Sequence, residues 1–171
     1  NKLSNGPTPI NSAMKDFKAY INRARQKGLK VKNPFDKGLY KVNRSNQRIT
    51  WLSREEVQRL EEYYHSSFIP DRFKHVLQGF LFACYTGLRF SDIQRITPAE
   101  ITPEGTLKFV PYKTRKFDKV VEVPLIDQAQ KYMSSDGRKM FDHIISEQVT
   151  NRYLKEIASI CNIKKRITTH V

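Results

Sequence analysis

Over residues 71–87 the sequence carries Phe73, Val76, Leu77, Phe80, Leu81 and Cys84 at helical spacing, an apolar face too wide for a helix lying on a surface. Asp71 can cap this helix and Gly87 can close it. Such a helix must be covered from several sides, so it is expected at the centre of a helical core. The covering elements are legible too. Ser53, Arg54, Glu55 and Glu56 make a capping box that opens a helix over 53–65, with Val57, Leu60 and Tyr64 on its buried face. A short helical piece is expected over 91–95, ended by Thr97 and Pro98, and helical spacing resumes over 126–133 and 146–160. Only 107–111 and 120–124 read as strands, joined by a highly charged loop. The expected fold is mainly α with a small β-hairpin or three-stranded sheet, without internal repeats or low-complexity tracts.

Charge divides the chain. The 171 residues hold 31 Lys and Arg against 17 Asp and Glu, a formal net charge of +14. Residues 1–50 contain 12 of the cations and 2 of the anions, a net of +10, which leaves +4 for residues 51–171. A field of that size and sign favours a polyanionic partner, nucleic acid ahead of acidic membrane. The first ten residues, rich in turn formers, are expected to be extended or frayed. After them, Asn11 or Ser12 can cap a basic helix with Met14, Phe17, Ile21 and Ala24 on one side, ending at Gly28. One helix cannot bury its own apolar stripe, and helices upstream of this segment are the expected cover. From Gly28 to Thr50 the composition turns to Lys, Asn, Gly and Pro, as in a basic linker. The organisation expected is a basic arm that engages phosphates, a linker that holds the domain boundary and a main domain beyond it. The cations offered to DNA are Lys15, Lys18, Arg23, Arg25, Lys27, Lys30, Lys32, Arg44 and Arg48, joined by Arg115 and Lys116 in the main domain.

Other classes fall away. With 39% hydrophobic residues, 10 Phe and 8 Tyr, the chain can build a packed core. Cys84 and Cys161 lie far apart in apolar stretches, which suggests reduced thiols and a cytosolic home rather than a disulfide framework or a thiolate metal site. No apolar run is long enough to span a bilayer. The chain opens on Asn1 without an initiator Met or a signal sequence and stops on Val171, and it reads as a piece of a longer protein.

The chemistry begins at Arg89, just past the Gly87 break. Asp92 stands three residues on, where a helical i, i+3 pair can hold the guanidinium. A fixed guanidinium fork grips two phosphate oxygens at once, which Lys does less well; the same pair is also compatible with an ordinary surface ion pair. Further on, the loop Tyr112, Lys113, Thr114, Arg115, Lys116 projects several cations, and His170 follows the basic run Lys164, Lys165, Arg166. His65, His75 and His143 lack metal-ligand spacing and are expected at the surface or at helix ends.

Read in order, the strings A-C-Y-T-G-L-R-F-S-D-I, Y-K-T and N-R-Y-L-K-E-I-A before I-T-T-H-V resemble the tyrosine recombinase, or phage integrase, family, and are similar in detail to integrases of conjugative transposons of gut bacteria. The resemblance covers residues 51–171 as the first two-thirds of a catalytic domain, with 11–35 similar to the last helix of a core-binding domain. It implies that Arg89 is the first catalytic arginine, Asp92 the acidic residue that braces it, Lys113 the hairpin lysine and His170 the histidine of an H-x-x-R motif. It also implies double-stranded DNA as substrate, a tetramer on DNA, a bacterial cytoplasmic setting and a reaction without cofactor or metal. The second arginine and the nucleophilic tyrosine of the family would follow His170 and are not among these residues. Tyr153 precedes His170 and is better explained by core packing with Val149 and Ile157.

Two other readings compete. A non-catalytic protein that coats or bends DNA would use the same charge asymmetry. Binding to anionic lipid is less well served, because the Met14, Phe17, Ile21 stripe is short for an interfacial anchor.

Overall fold

The computed structural model describes residues 7–36, 51–133, 140–141, 143 and 145–170. The chain divides into two compact units, Asn1–Arg48 and Ile49–Val171.

In the first unit, helix α1 spans Pro7–Gln26. It starts earlier than its apolar periodicity suggests, because Pro is well suited to the first turn, where its missing N–H is not needed. Gly28 takes a left-handed conformation at φ +82°, and the following residues fold back on the helix. Phe35 meets Phe17 edge-on at 6.1 Å between ring centres, Asn33 donates its side-chain N–H to Asn22 at 3.2 Å, and Arg25 pairs with Asp36 at 2.6 Å. Ile21 and Phe35 are thereby buried. Part of the apolar stripe of α1 is therefore covered by the downstream segment 29–36, where upstream helices were expected, while Phe17 stays half exposed. Positions 37–50, with Arg44 and Arg48, lie outside the described residues.

The second unit is built round the helix anticipated at its centre. α2 (Arg54–His65), α3 (Asp71–Thr86), α4 (Phe90–Ile93), α5 (Asp127–Gln130) and α6 (Glu147–Ile160) are its α-helices among the described residues, and α3 packs against each of the others. Phe73, Val76, Leu77, Phe80 and Leu81 are buried, and so is Phe82 on another face, as all-round cover requires. Two expectations for α3 fail. Its cap position is held by Pro70 without a side-chain bond, and Asp71 is instead the first helical residue. Cys84 is exposed, although it shares a helical face with Phe73 and Leu77.

The capping box of α2 is present. Ser53 donates its backbone N–H to Glu56 at 2.7 Å, and Glu56 donates its own to the Ser53 hydroxyl at 3.3 Å. The Glu56 carboxylate also takes Lys165 Nζ at 2.7 Å. Lys165 donates further to the Trp51 carbonyl at 3.1 Å, while Arg59 reaches the Asn162 carbonyl at 2.9 Å. The start of the unit is thus fastened to the segment after α6. A second polar anchor lies at the edge of the core: Tyr85 and Tyr132 both donate hydroxyls to Glu61 Oε1, at 2.8 and 2.7 Å. Burial first, and the neighbouring carboxylate second, push the Tyr85 hydroxyl up to about 12.

The sheet is a two-stranded antiparallel hairpin, β1 (Thr106–Phe109) with β2 (Val121–Pro124), Thr106 opposite Pro124 and Phe109 opposite Val121. Ile101 adds a single bridge to Leu107 instead of a third strand. Leu107 and Phe109 face the core, whereas Lys108 faces outward and pairs with Glu122 at 2.9 Å. The helix expected over 126–133 shrinks to the single turn of α5.

Candidate active site

Arg89 is positioned by the way α3 ends. Gly87 adopts φ +68°, which an L side chain rarely takes, and a Cβ there would meet nothing within 4 Å. The glycine is needed for its backbone angle, not for space. The chain then turns, Leu88 is buried, and Arg89 stands exposed in extended conformation at the cap position of α4. Asp92, one helical turn later, is 3% exposed.

Asp92 does not pair with Arg89. Among the described residues no ion pair joins them, and Asp92 Oδ1 instead accepts the backbone N–H of Tyr112 at 2.8 Å. Arg89 is exposed while Asp92 turns into the core, so the i, i+3 spacing does not bring their charged ends together. The carboxylate crosses to the hairpin and fixes the residue before Lys113. That loop is itself ordered: Tyr112–Phe117 forms a 3₁₀ helix, with Asp118 at φ +49° completing the reversal into β2. Lys113, Arg115 and Lys116 are exposed on it. The Tyr112 ring lies under two guanidinium groups, those of Arg95 at 4.9 Å and Arg115 at 4.3 Å.

His170 lies at the far end of the described chain. Thr169 donates its N–H to Asn151 at 2.8 Å and its hydroxyl to Glu147 at 2.8 Å. His170 Nε2 lies 3.2 Å from the same Glu147 carboxylate, with its side chain 73% exposed. A cavity of about 20 Å³, enough for one water, is lined by Phe90 and Ile93 from α4 and by Thr150 and Thr169. Residues beside Arg89 and His170 therefore share one cavity, and Asp92 ties α4 to the residue beside Lys113. No hydrogen bond or ion pair joins the three candidate side chains to one another among the described residues.

His75 and His143 line the same cavity and stack at 4.3 Å. Burial, and then the facing His143 ring, lower the His75 pKa; Asp71 opposes this and Lys74 adds to it. Tyr153 packs edge-on against Phe73 at 5.5 Å, a core role. Among the described residues no group of His, Cys, Asp and Glu is arranged to hold a metal ion, and no helix is long and apolar enough to cross a membrane.

In the first unit Lys15, Lys18, Arg23, Lys27, Lys30 and Lys32 are exposed, and Lys18 Nζ lies 5.8 Å from the centre of the Phe35 ring. Arg25 differs, its charge being met by Asp36. Arg95 was not among the sequence candidates. No local pattern links it to the hairpin, and its contact with Tyr112 exists only once the chain has folded.

XerA recombinase superposes with a TM-score of 0.51, covering 71% of this chain at 18% identity. The likeness is one of fold. The chain spans 47% of the length of XerA recombinase. No family model matches the sequence, and no curated protein does.

Proposed function

We propose that this chain is part of a site-specific DNA recombinase, an integrase that cleaves and rejoins double-stranded DNA through a 3′-phosphotyrosine intermediate during integration of a mobile element. The observation that carries the reading is the bond from Tyr112 N–H to Asp92, which couples the element bearing Arg89 to the loop bearing Lys113. In this reading residues 1–35 belong to a clamp that closes on DNA, 36–50 link it to the catalytic domain at 51–171, and copies of the protein assemble on DNA in the bacterial cytoplasm.

The chemistry follows from the residue types. A tyrosine attacks the scissile phosphodiester, and negative charge gathers on the nonbridging oxygens and on the departing 5′ oxygen. Arg89 holds the nonbridging oxygens through its fork. Lys113 gives a proton to the 5′ oxygen as that bond breaks, and His170 assists proton transfer from the nucleophile or orients the phosphate. The phosphotyrosine bond conserves the energy of the bond it replaces, so rejoining needs no cofactor. Asp92 acts as a positioning residue, through the hairpin and not through the arginine.

The test compares two variants of the full-length protein on DNA. Arg89→Lys should lower cleavage by about two orders of magnitude with DNA affinity little changed. Lys113→Ala should be rescued when sulfur replaces the 5′ bridging oxygen, because a thiolate leaves without protonation, and Arg89→Lys should not. Equal loss of DNA binding in both, with no selective effect on cleavage, would make a DNA-binding accessory protein the better reading.

A further inference from the structure

Tyr112 collects two cations from separate parts of the chain. Arg95 follows α4, Arg115 belongs to the 3₁₀ turn, and both guanidinium groups lie within 5 Å of the centre of the same ring. Both arginines are exposed, and among the described residues neither has a carboxylate at ion-pair distance. Two like charges over one ring repel each other, and the negative π face offsets only part of that cost. An anion bound alongside would remove the rest, and planar guanidinium forks match the oxygens of a phosphate better than any other common anion acceptor on a protein. The backbone that carries the ring is held in place, because the Tyr112 N–H donates to the buried carboxylate of Asp92.

We propose that Arg95 and Arg115, gathered over Tyr112, form a two-guanidinium clamp for the phosphodiester backbone of DNA beside Lys113, with Tyr112 as its positioning residue. The proposal rests on the DNA-directed function proposed above. It adds Arg95 to the contact surface and turns the hairpin loop from a diffuse source of charge into a fixed grip at one place on the strand.

The test titrates the 171-residue chain and its variants with a fluorescein-labelled duplex across a salt series, and separately with inorganic phosphate alone. Lys108, an exposed cation of β1 already paired with Glu122, supplies a control of equal charge loss. Arg95→Ala should reduce the slope of log affinity against log salt by about 0.9, one phosphate contact, and Lys108→Ala should reduce it by less. Tyr112→Leu removes no charge yet should weaken duplex binding several-fold, whereas Tyr112→Phe, which keeps the ring, should restore it and so exclude a simple folding defect. Wild-type chain that binds duplex with a salt slope unchanged in Arg95→Ala and an affinity unchanged in Tyr112→Leu would overturn the clamp while sparing the DNA reading. Wild-type chain that binds no duplex would overturn both. Saturable binding of inorganic phosphate that needs Arg95, with duplex binding indifferent to it, would reassign the arginines to a small-anion site and overturn the clamp on DNA.

Discussion

The buried carboxylate of Asp92 accepts the backbone N–H of Tyr112 at 2.8 Å, and this bond orders the hairpin loop relative to the end of the central helix. The sequence suggests a partnership between Asp92 and Arg89. The fold gives Asp92 to the hairpin and leaves Arg89 pointing to solvent, free to meet a ligand. A carboxylate in this position sets the geometry of the basic loop without neutralising any of its charge.

Removing that carboxylate should be costly. Asp92→Ala leaves the Tyr112 amide without its acceptor, and a loss of about 1–3 kcal/mol is expected in urea denaturation. Asp92→Asn keeps an acceptor oxygen and should lose less. In both, the Tyr112 amide should exchange with solvent faster; unchanged exchange in Asp92→Ala would argue against an anchoring role.

Glu56 does two jobs, closing the capping box of α2 and receiving Lys165. The Lys165 bond and the Ser53 amide hold its pKa below the usual carboxylate value. Glu56→Ala should destabilise the second unit by about 2 kcal/mol, from the lost cap together with the lost charge-assisted bond. A double-mutant cycle with Lys165→Met measures the coupling, and additive losses would show that the two residues act separately.

Gly87→Ala should cost about 1–2 kcal/mol by the left-handed penalty alone, since no neighbour crowds the added methyl. Gly87→Asn should cost less, as Asn tolerates that conformation. Thermal denaturation of the three proteins checks the order.

The basic first unit should supply most of the nonspecific DNA affinity. Deleting residues 1–48 is expected to flatten the dependence of log affinity on log salt. Within that unit Lys15→Ala should reduce the slope more than Arg25→Ala, because Arg25 is already met by Asp36 at 2.6 Å. Equal effects would mean that the Arg25 pair opens on DNA.

The stacked histidines predict a pH dependence. The pKa of His75 in the folded state lies below its value of 6.5 in an unfolded chain, so the unfolded state binds more protons between the two values. The stability contribution is fully present above pH 6.5 and is lost as pH falls through the folded pKa. His75→Phe should flatten the stability profile in that window, measured by urea midpoints across pH; an unchanged profile would place the titration elsewhere.

The chain order of residue types determined much of this protein. Helical periodicity over 71–87 made α3 central, because a helix with so wide an apolar face has no stable place at a surface, and the S-x-x-E pattern fixed the start of α2, because both capping bonds are local. The hairpin was legible for the same reason, its alternation and its neighbours being close in sequence. What tertiary structure decided are the contacts between residues far apart in the chain. Asp92 chose Tyr112 over Arg89, Lys165 returned to Glu56, Arg95 reached the hairpin ring, and the segment after Gly28 folded back over Ile21. Each of these depends on which way a side chain faces once the core has closed, and spacing along one helix cannot specify that.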